Sequence, residues 1–269
     1  MEILTPILIV GIIGLLAGVI LAVASIVMAV PKDEKAEALE EVLPGANCGG
    51  CGFAGCEGYA AAVVSDPDIP ANKCCAGGAD TAIAVGELTG KTVAEAEPLF
   101  SLRRCDKLAG NVALRYQYQG MPSCAAAAML RGGTDTCHWS CMGFGDCVQV
   151  CPFDAMQVKD GVVRVDMTRC TGCGMCVTAC PRGVLELVPR RHRVAVFCNT
   201  RDKLRAVTEV CDAGCINCGR CAKACPAKAV SNVAGRMVVD QIKCVSYGPD
   251  CGEACVCLLY TSDAADDSL

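Results

Sequence analysis

The sequence predicts an α+β protein in which one apolar N-terminal helix is followed by several small cysteine-rich units. Three observations lead to this prediction. The chain has 269 residues and 25 cysteines, far above ordinary usage. Two segments repeat the arrangement Cys-x2-Cys-x2-Cys-x3-Cys-Pro with identical spacing, and a third segment is a stretched copy. Residues 3–30 are almost wholly apolar.

The cysteine runs are the candidate metal-binding sites. Their spacing is that of bacterial-type [4Fe–4S] ferredoxins, in which three thiolates bind one cluster and the fourth, before proline, binds its neighbour. Zinc is the alternative, but zinc sites pair two C-x2-C knuckles across a longer spacer. Disulfides would require a secreted chain, and no basic region precedes the apolar segment. The predicted ligands are Cys137, Cys141, Cys147 and Cys151; Cys170, Cys173, Cys176 and Cys180; and Cys215, Cys218, Cys221 and Cys225.

The crossing of the fourth ligand predicts two clusters in a first ferredoxin-like module, residues 131–190. The expected groups are Cys137, Cys141 and Cys147 with Cys180, and Cys170, Cys173 and Cys176 with Cys151. Alternating residues 161–166 begin at a turn and predict a strand. We also expect a short helix to open at each Cys-Pro. Two-fold pseudo-symmetry follows from the repeat.

A second ferredoxin-like module is predicted over residues 212–257, with a strand at residues 236–240. Cys244, Cys251 and Cys255 form a stretched three-ligand run that Cys225 would complete. This module is incomplete, because Leu259 stands where the last Cys-Pro is expected and Cys257 comes two residues early. The fourth ligand for the run at Cys215, Cys218 and Cys221 is left open, and residues 258–269 form an anomalous tail.

The apolar segment predicts a transmembrane anchor, residues 1–31. At about 1.5 Å per residue, a helix over residues 3–30 exceeds the roughly 30 Å hydrocarbon core of a bilayer. Lys32 and Lys35 follow the segment, and no lysine or arginine precedes it. The positive-inside rule then predicts a single-pass protein of the inner (plasma) membrane with its bulk in the cytoplasm.

A small [4Fe–4S] domain is predicted next, over residues 32–100. Residues 33–42 are charged and suit a short solvated helix that acts as a spacer. Cys48, Cys51 and Cys56 follow among glycines that allow close approach to a cluster. The fourth ligand is Cys74 or Cys75, and zinc is again the alternative. Residues 57–64 are expected to form a helix over the site.

Four cysteines lie outside every motif. They are Cys105, Cys124, Cys198 and Cys211, in or beside the connecting segments 101–130 and 191–211. They are either thiols in the core, where free cysteine packs well, or the ligands of one further cluster between the two modules. The sequence therefore predicts five [4Fe–4S] clusters, or six if these four cysteines converge.

The rest of the sequence limits the function classes. The net charge of −5 and the pI near 5.1 argue against nucleic acid as a partner. No Walker loop, dinucleotide fingerprint or Ser-His-Asp set occurs in the sequence, so no catalytic residue is predicted in this chain. A basic neighbourhood is either a solvated face or a landing site for an acidic soluble ferredoxin. Its members are Arg190, Arg191, Arg193, Lys203 and Arg205.

The N-terminal region resembles the B subunit of the Rnf electron-transport complex. The resemblance rests on the apolar segment, the acidic spacer and Gly-Ala-Asn-Cys-Gly-Gly-Cys-Gly-x2-Gly-Cys-x2-Tyr-Ala from Gly45, followed by Cys74-x2-Gly77-Gly78. The tandem ferredoxin motifs match the longer form of that family. The resemblance implies that Cys48, Cys51, Cys56 and Cys74 bind the first cluster and that Cys75 is a bystander.

The resemblance also implies a function. Such complexes pass electrons between reduced ferredoxin and NAD and couple this flow to Na⁺ or H⁺ transport. We therefore expect an electron-relay subunit of a translocase, with the other membrane subunits and soluble ferredoxin as partners. The alternatives are a polyferredoxin subunit of another membrane redox complex and a non-catalytic, membrane-tethered iron–sulfur sensor. Direction of electron flow, coupling ion and cluster potentials are not predicted.

Overall fold

Short helices and two-stranded sheets, joined by cysteine-bearing loops, make up the protein. The computed structural model describes residues 4–27, 33–93, 97–107 and 112–255. The helices in these ranges are α1 (Leu4–Val27), α2 (Glu34–Val42), α3 (Gly55–Ser65), α4 (Gly78–Thr89), α5 (Cys124–Met129), α6 (Asp146–Gln149), α7 (Met175–Ala179), α8 (Arg205–Thr208), α9 (Arg220–Ala224) and α10 (Gln241–Tyr247). The strands are β1 (Leu99–Arg103), β2 (Met156–Lys159), β3 (Val162–Val165), β4 (Leu185–Pro189), β5 (Val230–Val233) and β6 (Arg236–Val239).

Helix α1 contains no acidic residue in its first turn and no basic residue in its last. Its side chains are described from residue 11 to residue 25. In the ranges that the structure describes, no helix was found to be long and apolar enough to cross a membrane. The predicted anchor over residues 1–31 remains a prediction.

Helices α2, α3 and α4 form the N-terminal domain. Leu39 of α2 is buried against Tyr59 and Val63 of α3 and Val85 of α4. The predicted helix at residues 33–42 is confirmed as α2, and most of its residues are exposed. Its predicted role as a spacer is wrong, because Leu39 anchors α2 to this core. The predicted helix at residues 57–64 is confirmed as α3. Lys91 fixes the end of α3, since its ammonium group donates to three carbonyl oxygens there.

Three antiparallel pairs supply the strands of the two modules: β1 with β4, β2 with β3, and β5 with β6. Asp160 and Gly161 both have positive φ and close the β2–β3 hairpin as a two-residue turn. The predicted strands at residues 161–166 and 236–240 correspond to β3 and β6. Strand β1 pairs with β4 from Leu99–Pro189 to Arg103–Leu185, so the chain before the first cysteine run contributes to module 1.

The short helices of the modules precede the Cys-Pro dipeptides rather than follow them. Helix α7 ends at Cys180, and α9 ends at Cys225; both cysteines have extended backbone. The prediction that a helix opens at each Cys-Pro is wrong. The residue before a proline is disfavoured in the α conformation, so each helix stops there and the chain turns away.

A buried arginine joins the two modules. Arg104, directly after β1, is 2% exposed. Its guanidinium donates to Glu186 Oε2 of β4 at 2.8 Å and to the carbonyl oxygen of Met237 of β6 at 2.5 Å. Arg236 of β6 lies 3.7 Å from the same carboxylate. A buried charge is costly unless it is paired, so these bonds fix module 2 against module 1.

We predict that Arg104→Met loosens this docking by about 3 kcal/mol, because a buried carbonyl loses its donor and a partly buried carboxylate loses its cation. Anaerobic hydrogen exchange should show the amides of β6 exchanging on the order of a hundredfold faster. Arg205→Met is the matched control, since Arg205 pairs with Glu209 in a highly exposed position. Equal exchange in the two variants would contradict the interpretation.

Candidate iron–sulfur sites

Cysteines line several cavities in the described part of the chain. We name six groups of cysteines: site 1 (Cys48, Cys51, Cys56, Cys74), site 2 (Cys151, Cys170, Cys173, Cys176), site 3 (Cys124, Cys141, Cys147, Cys180), site 4 (Cys105, Cys137, Cys198, Cys211), site 5 (Cys215, Cys218, Cys221) and site 6 (Cys225, Cys244, Cys251, Cys255). The cysteines of sites 1 to 4 each line one cavity of about 310 to 400 Å³, including space open to solvent.

The donor set fits a cubane cluster. Sites 1 to 4 each offer four cysteine sulfurs, the ligand number and type of a [4Fe–4S] cluster. In the described ranges, no three His, Cys, Asp or Glu side chains were found placed closely enough to hold a single metal ion. A cube of four irons and four sulfides spreads its ligands more widely than one ion does, around a cavity of the kind seen here.

Site 1 brings together the four cysteines expected from the resemblance. The pKa of Cys74 is raised, chiefly by burial and further by the charges of Cys51, Cys56 and Cys48. The Asn47 side chain accepts from the amide of Cys56 at 2.8 Å and holds the loop closed. Cys75 lines the same cavity, with its thiol 3.8 Å from the carbonyl oxygen of Lys73. Assignment of Cys74 rather than Cys75 as the ligand remains a prediction.

Site 2 groups its cysteines as the crossing of the fourth ligand predicts, with Cys151 beside the run at Cys170. Ser101 of β1, a residue that sequence reasoning missed, completes the surroundings. Its amide donates to Cys170 Sγ at 3.4 Å, and its hydroxyl lies 3.3 Å from Cys176 Sγ. Ser101 is 69 residues away from Cys170 in sequence, so no local motif signals the contact.

Site 3 differs from the predicted group. Cys124, and not Cys137, lines the cavity with Cys141, Cys147 and Cys180. Five residues separate Cys141 from Cys147, which is the length of two x2 spacers with one residue between them. Phe144 is that middle residue. A ferredoxin run would have its middle cysteine at that position, and Cys124 comes to the cavity from outside the run.

Asp146 places Cys124. Its carboxylate accepts from the amide of Cys124 at 2.7 Å, from the amide of Ala125 at 3.0 Å and from the hydroxyl of Ser123 at 2.9 Å. Burial raises the pKa of Asp146, but these hydrogen bonds outweigh that effect and the net pKa is lowered. The ionised carboxylate on α6 thus caps α5 and fixes the position of its first residue, Cys124.

Site 4 collects three of the scattered cysteines together with Cys137. Cys105, Cys198 and Cys211 line its cavity with Cys137, so Cys137 and Cys124 exchange places relative to the predicted groups. Burial raises the pKa of Cys211 most, and the charges of Cys137 and Cys198 add to it. Convergence of scattered cysteines between the modules was one of the two interpretations that the sequence allowed.

Sites 5 and 6 belong to module 2. The pKa of Cys221 is raised by burial first and then by the charges of Cys218 and Cys225. Burial also raises the pKa of Cys255 to about 11, with further contributions from Cys225, Cys244 and Cys251. This matches the predicted group of Cys225 with the C-terminal run. Cys257 and the predicted tail, residues 258–269, lie outside the described residues.

Neighbouring sites touch one another. A β-carbon on Gly50, in the loop of site 1, would lie 2.7 Å from the β-carbon of Cys173 in site 2. The amide of Cys141 in site 3 donates to Cys105 Sγ in site 4 at 3.5 Å, and the amide of Cys215 in site 5 donates to Cys198 Sγ in site 4 at 3.3 Å. The loops that carry the cysteines are therefore packed directly against each other.

The basic neighbourhood is largely engaged in internal contacts. Arg191 pairs with Glu97, Arg193 with Glu253 and Arg205 with Glu209. Arg190 donates to the carbonyl oxygen of Cys170 at 2.6 Å. These pairs leave less net positive charge on that face than the sequence suggested for a ferredoxin landing site.

Two family comparisons agree with the cysteine pattern. Residues 140–184 and 169–229 match the 4Fe-4S dicluster domain. Residues 43–75 match a family described as a putative Fe-S cluster. The first match begins after Cys137, in keeping with the position of that cysteine in site 4. Ferredoxin-like [4Fe–4S] domains are thus present, as predicted.

Curated relatives extend over most of the chain. The chain is 44% identical over 244 residues to the B subunit of the proton-translocating ferredoxin:NAD(+) oxidoreductase complex of Clostridium ljungdahlii, covering 90% of this chain and 84% of the relative. It is 38% identical over 246 residues to the B subunit of the ion-translocating oxidoreductase complex of Methanosarcina acetivorans, covering 91% of each. The chain belongs to the B-subunit family of ion-translocating (Rnf) oxidoreductase complexes.

A third relative, the B subunit of the complex from Acetobacterium woodii, is named Na(+)-translocating. It is 38% identical over 202 residues, 75% of this chain and 60% of that relative. Membership in the B-subunit family confirms the resemblance noted in the sequence.

We predict that Asp146→Ala destabilises site 3 specifically, because α5 loses three hydrogen bonds to a charged group, each worth about 1.5–3 kcal/mol, and Cys124 is no longer held. An anaerobic iron-chelator assay should show several-fold faster iron release, with a three-iron signal appearing in electron paramagnetic resonance (EPR) spectra. Asp68→Ala, an exposed carboxylate in the N-terminal domain, is the control. Equal release rates would count against the role of Asp146.

Proposed function

We propose that this chain is the electron-relay subunit of an ion-translocating ferredoxin:NAD oxidoreductase complex. The observation that carries the proposal is the close placement of successive sites: site 1 contacts site 2 through Gly50 and Cys173, and site 4 contacts sites 3 and 5 through Cys105 and Cys198. Sites 2 and 3 are joined along the chain, since Cys147 and Cys151 are four residues apart. Electron transfer requires centres at short range, and a sensor with one labile cluster would not need such a series.

In this proposal the cysteines are cluster ligands and nearby backbone amides stabilise the bound sulfurs. The cysteines of sites 1, 2, 3, 5 and 6 would bind five [4Fe–4S] clusters, which would supply one-electron redox chemistry, and site 4 is a candidate for one more. Amide groups near the sulfurs, such as that of Ser101, stabilise the added negative charge of a reduced cluster. Site 5 has three cysteines among the described residues, and its fourth ligand is not assigned.

Nicotinamide chemistry belongs to another subunit in this proposal, because the sequence has no dinucleotide fingerprint. The membrane subunits of the complex and a soluble ferredoxin are the proposed partners. The names of the relatives give both protons and Na⁺ as the translocated ion, so the coupling ion of this chain is either of the two.

The N-terminal segment is proposed as a single-pass anchor in the inner membrane, with the bulk of the chain in the cytoplasm. Every leucine, isoleucine and valine of α1 between residues 11 and 25 is more than half exposed. Exposed apolar side chains around a whole helix are stable in lipid, where the solvent is equally apolar. The lysines after the segment support the orientation.

The relay is tested at the contact between sites 1 and 2. Gly50→Ala forces the two loops apart, because a β-carbon at 2.7 Å from the β-carbon of Cys173 is not tolerated. We expect the intact complex to keep its iron and to lose most of its ferredoxin-driven NAD reduction. Magnetic coupling between the two reduced clusters, seen by EPR, should weaken in parallel.

The matched control is Gly58→Ala in α3, where the nearest atom to an added β-carbon is 3.9 Å away. This variant should keep full turnover. Unchanged NAD reduction in Gly50→Ala, despite the loss of magnetic coupling, would show that electrons do not pass between sites 1 and 2.

The anchor has its own test. Deletion of residues 1–31 should give a protein that stays in solution without detergent and keeps all its clusters, since the first predicted ligand is Cys48. Iron analysis and ultracentrifugation after cell lysis measure both properties. Loss of all iron on truncation, or a full-length chain that needs no detergent, would rule out the anchor.

A further inference from the structure

The cavity of site 4 lies between the two ferredoxin-like modules. Its cysteines come from four separate segments: Cys105 after β1, Cys137 before the first run, Cys198 after β4, and Cys211 after α8. Trp139, Phe197, Val112 and Val207 form the apolar part of the wall. Four thiols from distant segments thus line one cavity of about 370 Å³, including the part open to solvent.

Spacing along the chain links site 4 to both neighbours. Cys137 stands four residues before Cys141 of site 3, and Cys211 stands four residues before Cys215 of site 5. The same interval separates Cys147 in site 3 from Cys151 in site 2. In the ferredoxin-type run this interval places two successive cysteines on adjacent clusters. The same interval therefore links site 4 to site 3 through Cys137 and to site 5 through Cys211.

Hydrogen bonds to sulfur also link site 4 to sites 3 and 5. The amide of Cys141 donates to Cys105 Sγ at 3.5 Å, and the amide of Cys215 donates to Cys198 Sγ at 3.3 Å. Amide donors of this kind stabilise thiolates that are bound to an iron–sulfur cluster and tune its potential. Each donor is the backbone of a cysteine in the adjacent site, so the two bonds also hold the sites close together.

Cations surround the cavity. A cluster with four thiolates is an anion, and a buried anion is costly unless positive charge lies nearby. Buried Arg104 directly precedes Cys105 in the chain. Arg182 donates to the carbonyl oxygen of Cys137 at 2.9 Å. Lys107 lines the cavity and pairs with buried Asp135 at 2.7 Å.

We propose that Cys105, Cys137, Cys198 and Cys211 bind a sixth [4Fe–4S] cluster that connects the two ferredoxin-like modules. Its part in electron transfer rests on the proposed relay function, whereas the ligand set stands independently. A cluster held there would accept one electron from the cluster of one neighbouring site, 3 or 5, and pass it to the other, so that it would end in its starting oxidation state with no bond made or broken.

Iron content of the full chain tests the ligand set. After anaerobic reconstitution, Cys137→Ala and Cys211→Ala should each lose one cluster, about four iron atoms, and the double variant should lose no more than either single variant. Thr208→Ala, at an exposed position on α8, should lose none. Undiminished iron in the single variants, or a double variant that loses twice as much, would overturn the proposal.

Native-state alkylation gives a readout that needs no variant. Cys211 is partly exposed, so iodoacetamide can reach its thiol when no cluster covers it. In the reconstituted chain, iodoacetamide should leave Cys211 untouched until a chelator removes the iron, and should modify it afterwards. Equal modification of Cys211 before and after chelation would overturn the proposal, even if the alanine variants failed to fold.

Cys198 has one rival role, as the missing fourth ligand of site 5. In that case Cys198→Ala would remove the same cluster as Cys218→Ala, and Cys137→Ala would leave the iron content unchanged. The proposal instead expects Cys198→Ala and Cys137→Ala to abolish the same EPR signal. If that signal is lost while NAD reduction by the complex is unaffected, the ligand set is upheld and the relay through site 4 is rejected.

Discussion

Packing cysteine side chains into small cores is the constraint on which the rest of this structure depends. The core of module 1 contains Cys141, Cys147, Cys170 and Cys176 among its buried residues, and that of module 2 contains Cys221, Cys244 and Cys255. Aromatic residues make up 4% of the chain, and every sheet in the described ranges has two strands. Such sheets are marginal alone, so we infer that cluster binding and folding are coupled.

Placing several anionic clusters in a chain of net charge −5 requires local compensation. The structure provides it with buried or half-buried arginines close to the sites. Arg104 ties β1 to β4 and β6 while it lies beside site 4, and Arg182 contacts the backbone at Cys137. The same cations therefore hold the modules together and offset thiolate charge. This dual role explains why so much of the positive charge faces inward or pairs with carboxylates.

The sequence predicted those parts of the sites that short-range spacing determines. Grouping of Cys151 with the run at Cys170 follows from a repeat whose geometry is fixed within a dozen residues. The exchange of Cys124 and Cys137 was not predicted, because Cys124 lies 22 residues before Asp146, the carboxylate that positions it. Helix placement failed for a local reason: the proline after the fourth cysteine suggests a helix start, whereas its effect on the preceding residue ends a helix.

The four-residue interval between successive cysteines accounts for the arrangement of the sites as a series. Four residues of extended backbone reach at most about 14 Å, and Cys180 at the end of α7 is extended, so two cysteines at this interval reach different cavities while their backbone is continuous. Cys137 with Cys141, Cys147 with Cys151, Cys176 with Cys180, and Cys211 with Cys215 all follow this rule. The length of the backbone thus sets an upper limit on the distance between the two neighbouring sites. A change in module docking would alter the contacts of site 4 first, since Cys105 and Cys137 come from one side of the junction and Cys198 and Cys211 from the other. If site 4 holds a cluster, electron passage between modules and the docking of the modules depend on the same four sulfurs.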